Sequence, residues 1–326
     1  MNATVSNFAF GVALVLYVLA MVAYFHHLAF HRELVGRAAT GLAFAGLGAH
    51  VVSVVARGVA AGRVPWGNMY EYSSMVGLLA VAAYLLVVER VWKGRALGGF
   101  ALGSAVLVMA GAILLYVPPG PLVPALNSYW IRIHVVAAMT GSALFMLGTV
   151  FTVLYLVQDA RERRRARRGM SSERVPAMAG VGGGGLPEDH VPSPDEPEEA
   201  GSERTMPGTA TDPGTAPRRW QLPPAASLDR LAYRTIAFAF FIWTFAVIAG
   251  AIWAEEAWGR YWGWDPKETW SFITWTIFAA YLHARATVGW RGRRAAVLAL
   301  AGFAALAFNL YAVNLVIAGL HSYAGV

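Results

Sequence analysis

A chain of 326 residues that is 57% hydrophobic, only 14% charged and of mean hydropathy +0.49 is too apolar for a water-soluble fold, which carries about a quarter charged residues. It contains no cysteine, which excludes disulfides, thiolate metal sites, thiol nucleophiles and thioether attachment of a cofactor to this chain. The formal net charge of +7 sits between apolar runs, a pattern that speaks to membrane orientation and not to nucleic-acid binding.

Eight apolar spans follow one another at 8–28, 40–58, 70–89, 98–117, 133–157, 231–252, 268–284 and 295–320, each near the roughly 20 residues that cross a bilayer as a helix. The expected fold is all-α, a polytopic integral membrane helical bundle of about eight transmembrane helices. The first span exceeds a cleavable signal core and lacks a basic flank, so it reads as a retained helix. Connections after spans one, three, five and seven carry clustered base: Arg32 and Arg37; Arg90, Lys93 and Arg95; RERRRARR from Arg161; and Arg285, Arg291, Arg293 and Arg294. The others hold only Arg57 and Arg63, Arg132, and Arg260 with Lys267. The positive-inside rule places the first set in the cytoplasm and both termini outside it. Localisation in the cytoplasmic membrane follows.

Three regions are expected: a five-helix membrane region over 1–158, a linker over 159–228, and a three-helix membrane region over 229–326. The linker is rich in Gly, Pro, Ser and acids and nearly free of large apolar groups. It buries too little surface to offset ordering entropy, so it is expected to be disordered and cytoplasmic.

Histidines mark the candidate chemistry. His134 opens span five and His321 closes span eight, two helices of opposite direction that place an imidazole each at the same outer level. Neutral imidazoles are good axial ligands for haem iron; two unrelated interfacial histidines account for the placement equally simply. His283 lies fifteen steps below Glu268, about 22 Å away along a helix, so it belongs to a second, deeper site or to a polar helix end beside Arg285. His50 sits inside span two, where a hydrogen bond between helices is an alternative to function. His26, His27 and His31 crowd the end of span one and read as a solvated helix end.

The stretch WAEEAWGRYWGWDPKETW, Trp253 to Trp270, holds five of the chain's twelve tryptophans on the side of His134 and His321. Asp265-Pro266-Lys267-Glu268 has a local explanation as a capping box with Pro at the first helical position, so Asp265 and Glu268 need no ligand. The aromatic part is less easily a simple interface belt, because belts scatter Trp and Tyr over many helix ends. A flat aromatic ligand would stack on such rings, and Arg260 and Lys267 suit carboxylates such as propionates. In PWGNMYEYSS, Asn68 and Glu71 read either as a cap with an acid in the first turn or as a ligand-facing carboxylate. Asn309 and Asn314 read as interhelical hydrogen-bonding groups.

WGWDPKETWSFITWTIFAAYLHAR closely resembles the signature of the tryptophan-rich (WWD) haem-handling proteins. With PWGNMYE, SYWIRIHV and the terminal GLHSY, the chain is similar to the CcsA/ResC branch of the System II cytochrome c synthases, sometimes labelled CcsB. The resemblance implies that His134 and His321 hold haem b (iron protoporphyrin IX) at an extracytoplasmic tryptophan surface. That surface comprises Trp258, Trp262, Trp264, Asp265 and Trp270. His283 becomes a ligand of a deeper haem whose other ligand comes from a ResB/CcsB-type membrane partner. The implied activity is delivery of haem across the membrane and its attachment to CXXCH thiols of apocytochrome c, with thiol reductant proteins as further partners. No residue stands out as a general acid, base or nucleophile. A haem exporter or chaperone without ligation activity is the competing function.

Overall fold

The computed structural model describes residues 2–121, 128–173, 222–317 and 319–320. Among them every regular element is helical. Helix α1 (Asn2–Phe30) is followed by α2 (Glu33–Ala61), α3 (Met69–Ala83), α4 (Gly98–Leu114), α5 (Tyr129–Glu173), α6 (Ala225–Trp258), α7 (Pro266–Ala286), α8 (Arg293–Ala307) and the short α9 (Val313–Val316). Wider π turns extend α3 over Tyr84–Glu89 and join α8 to α9 over Phe308–Ala312.

Seven helical stretches among the described residues are long and apolar enough to cross a membrane. The remaining expected span, span seven, corresponds to α7, a helix of 21 residues, about 31 Å long at 1.5 Å per residue. Its Lys, Glu, Thr and Ser residues leave it less apolar than the others.

Residues Glu162–Arg219 form a unit of their own, and the rest of the chain forms the other. In the smaller unit the described residues, 162–173, are helical. The remainder of the expected linker up to residue 221 lies outside the described residues.

Local sequence sets where the helices start and stop. Gly62 ends α2 in the left-handed conformation at φ 63°, where the absence of a Cβ removes the usual penalty. Asn68 begins α3 by accepting a hydrogen bond from the Glu71 amide at 2.9 Å, the capping role read from its position.

In the main unit, consecutive long helices run antiparallel. Helix α1 packs along α2 and α4, α3 against α4, and α7 against α6 and α8. One buried cluster joins the first four helices to α5 between Met139 and Tyr155 and to the start of α6. A second joins α5 to α6, α7 and α8, and within it Phe145 and Phe278 stack face to face at 3.8 Å. Helix α5 is thus the shared wall of both clusters. In lipid such association rests on close packing and interhelical hydrogen bonds. Both occur: a Cβ at Gly46 would stand 2.7 Å from the Tyr17 ring, and Trp275 donates to Thr244 Oγ1 at 2.9 Å.

Three buried polar groups cross-link the first four helices. The imidazole of His50 is fully buried, with Nε2 2.9 Å from Ser74 Oγ and Nδ1 3.4 Å from Tyr17 Oη. Of its two readings, these bonds describe the hydrogen bond between helices. Glu89 is approached by Tyr24, Thr40 and Arg95. Glu71, with a fully buried side chain, accepts from Arg57 Nε and Arg63 Nη1, both at 2.8 Å. Arg57 also donates to the Val117 carbonyl and lies 4.5 Å above the Tyr70 ring. Glu71 is therefore an ion-pair centre, and its Oε2 also accepts from Gly67 N at 2.7 Å.

Candidate functional site

The ends of α2, α4 and α6 meet the starts of α1, α3, α5 and α7 at one end of the bundle. There the structure leaves a cavity with about 1080 Å³ of space, its open side included. One wall is the start of α3 with Trp66 before it. The second is α5 at Ile131, His134 and Ala138. The third is α6 from Trp243 to Ala254. The roof is Tyr261 and Trp262, and the far wall carries Lys267, Glu268, Ser271 and Asn309.

His134 is oriented within this space. Its Nδ1 lies 2.7 Å from the Ala246 carbonyl. A carbonyl only accepts, so Nδ1 carries the proton and the lone pair resides on Nε2, the tautomer suited to metal ligation. The close approach is possible because Gly250 faces the ring: a Cβ there would stand 2.6 Å from Nδ1.

The loop after α6 is shaped by two carboxylates. Gly259 closes α6 at φ 68°. Trp264 takes φ 58°, a left-handed conformation that costs a non-glycine residue roughly 1–2 kcal/mol. Glu268 holds it there, since Oε2 accepts from Gly263 N at 2.8 Å and from Asp265 N at 3.2 Å, the amides on either side. Asp265 accepts from Lys267 N at 3.1 Å, and the full capping box is present. The local explanation of DPKE is therefore realised, and Asp265 is spent on backbone amides.

That loop geometry sorts the tryptophans. Trp262 lines the cavity. Trp264 is 66% exposed and packs edge-on against Trp262 and Phe272, at 5.8 and 6.2 Å. Trp258 meets the buried Trp253 at 4.7 Å. Trp270 packs on Phe308 of α8 at 4.1 Å. Trp258, Trp264, Asp265 and Trp270 are not among the cavity-lining residues, whereas Trp66, Tyr72, Trp243 and Trp253 are. Trp253 and the pair Trp66 and Tyr72 belonged to quoted stretches without being singled out as site residues, and Trp243 lay inside an apparently ordinary span.

Polar groups gather at the α7 wall. Lys267 Nζ donates to Asn314 Oδ1 at 2.6 Å, and Asn309 Nδ2 donates to Ser271 Oγ at 3.1 Å, so both asparagines bridge helices as read. The π turn places Asn309 at the cavity. Arg260 Nη1 faces Glu268 Oε1 at 3.6 Å. Both atoms, with Asn309 Oδ1, are buried and lack a hydrogen-bond partner among the described residues. Buried polar atoms of this kind call for a partner that the described residues do not supply.

His283 is distant from this cavity. It lies exposed near the other end of α7, with Nδ1 3.3 Å from Thr287 Oγ1. His321 lies outside the described residues. Among those described, no group of three or more His, Asp or Glu residues is arranged to hold a metal ion.

Residues 66–321 match the family model described as cytochrome C assembly protein. The chain belongs to this family. Curated relatives named cytochrome c biogenesis protein CcsA are 37% identical in Crocosphaera subtropica, over 98% of each chain. In Gloeobacter violaceus the identity is 38%, over 83% of this chain and 81% of that one. A solved structure, the cytochrome c haem lyase CcmF, superposes with a TM-score of 0.61 at 16% identity. It covers 95% of this chain, which spans only 47% of that structure's length, and shows the shared fold alone. Membership of the cytochrome c assembly family makes this a multi-pass membrane protein of cytochrome c biogenesis.

Proposed function

We propose that this family member carries haem b across the cytoplasmic membrane and presents it at the outer face for attachment to apocytochrome c. The observation that carries the reading is His134. A tautomer-fixed imidazole stands in an aromatic-walled cavity beneath the tryptophan loop, at the end of the bundle that the described chain reaches again at Leu320. Haem is cargo here, and the residues present suit it. Trp66, Trp243, Trp253 and Trp262 offer faces and edges to a porphyrin, and Arg260 and Lys267 offer charge to its propionates.

His134 and His321 are the proposed iron ligands of the outer site. Asp265 serves this site by shaping the loop. Trp264 backs Trp262 edge-on, Trp258 backs the cavity-lining Trp253, and Trp270 packs on Phe308, none of them lining the cavity. In the attachment step each CXXCH thiol adds its S–H across a haem vinyl group, forming a thioether. The chain's own contribution is orientation and exclusion of water, so that the acceptor meets the bound haem in a favourable geometry. This accords with a chain that has no cysteine.

His283, exposed on α7, is proposed as one ligand of a deeper haem. A ResB-type membrane partner would supply the other, and thiol reductant proteins would keep the acceptor cysteines reduced.

The test is co-expression with that partner and an apocytochrome. His134→Ala and His321→Ala are each expected to lower covalent haem attachment at least tenfold, with recovery on adding imidazole. Undiminished attachment in both would sink the proposal. Haem that co-purifies with wild type but never becomes covalent, although partner and acceptor are present, would favour an exporter or chaperone.

A further inference from the structure

Asp265 joins separate pieces of chain through one carboxylate. Oδ1 forms the cap bond to Lys267 N, and Oδ2 accepts from Leu320 N at 2.8 Å. The fit is close: a Cβ at Gly319 would stand 2.7 Å from Oδ2 and 3.4 Å from Pro266 Cδ. Helix α9 has ended by this point, since Ile317 is extended at φ −104°, ψ 116°. Leu320 N is therefore not served by a helical carbonyl, and Asp265 satisfies it instead. Beside it, the Lys267–Asn314 bond ties the same helix start to the same terminal stretch.

An N-cap needs only one acceptor oxygen, and Asn serves about as well as Asp. What the carboxylate adds is a second acceptor, and that acceptor is directed at the residue immediately before His321. Resting on the proposed role of His321, we infer that Asp265 is a positioning residue. Its Oδ2 fastens the chain at Leu320 to the start of α7, and so restrains the backbone from which the proposed ligand His321 extends.

Asp265→Asn separates the two duties. The amide oxygen keeps the cap on Lys267 N, and the NH₂ that replaces Oδ2 cannot accept from Leu320. In the full-length protein purified in detergent, deuterium exchange at the Leu320 amide is expected to be about tenfold faster than in wild type, as for loss of one hydrogen bond to a charged group. Amides in the first turn of α7 are expected to stay unchanged. Asp265→Ala, which also loses the cap, is expected to loosen both. In haem-loaded protein, Asp265→Asn is expected to lose the low-spin spectrum of paired imidazoles, as His321→Ala does, and to regain it on adding imidazole.

Wild-type exchange at Leu320 in Asp265→Asn would overturn the inference. So would a wild-type spectrum in Asp265→Asn when His321→Ala has lost it. A wild-type spectrum in His321→Ala removes the haem role of His321 itself, and exchange at Leu320 then still decides whether the clamp exists.

Discussion

Replacing Glu71 with glutamine is expected to destabilise the bundle by about 3–5 kcal/mol, the range for removing one partner of a buried ion pair. The side chains of Glu71 and Arg57 are 0% and 4% exposed, and Arg63 adds a second cation at 13%. The substitution leaves two guanidinium groups without a counter-charge, one of them sealed between the Tyr70 and Tyr116 rings. Denaturant or thermal unfolding in detergent measures the loss. Arg57→Met paired with Glu71→Leu is expected to recover part of it, because removing both charges also removes their desolvation cost. A loss below about 1 kcal/mol in Glu71→Gln would class the pair with exposed ion pairs and refute its structural role.

A methyl group at Gly250 is expected to reproduce the haem defect of His134→Ala while leaving the imidazole in the chain. The added Cβ falls 2.6 Å from Nδ1 and 2.8 Å from Cε1, inside any tolerable contact. The ring must leave the Ala246 carbonyl, and with that bond goes the constraint on its tautomer. Overpacking at a close contact costs about 1–3 kcal/mol, so Gly250→Ala is expected to fold with a lowered melting midpoint. Gly141→Ala is the control, since its Cβ would meet Trp243 at an ordinary 3.4 Å. Haem content per mole of purified protein is the readout. Wild-type haem in Gly250→Ala beside a loss in His134→Ala would show that the Ala246 bond does not govern ligation.

The helices and the Asp265 cap were legible in the sequence because both depend on neighbours in the chain. Apolar runs of span length declare helices, and D-P-K-E declares a helix start from four adjacent residues. The cavity was not legible, because much of its wall is Ala138, Ala246, Gly250 and Ala254, residues common in any membrane helix. Nor was the sorting of the tryptophans. Loop side chains follow no period, and the direction of Trp264 depends on a left-handed backbone that Glu268 holds in place. Glu71 was readable as an acid in a first helical turn. Arg57 was counted only as a topological charge, and nothing local pairs the two across the intervening turn. The π turn that brings Asn309 to the cavity likewise has no sequence mark.

The Arg57–Glu71 pair also bears on how the chain enters the bilayer. Arg57 is carried by α2 and its acid by α3, so α2 emerges from the ribosome with its cation unneutralised. An arginine costs up to roughly 2.5–3.5 kcal/mol to insert at mid-helix, and the acid that offsets it follows one short turn later. Release of α2 and α3 together, as a hairpin already paired at its tip, avoids that intermediate. The Glu71→Gln chain would then be impaired twice, once during insertion and again in the finished bundle.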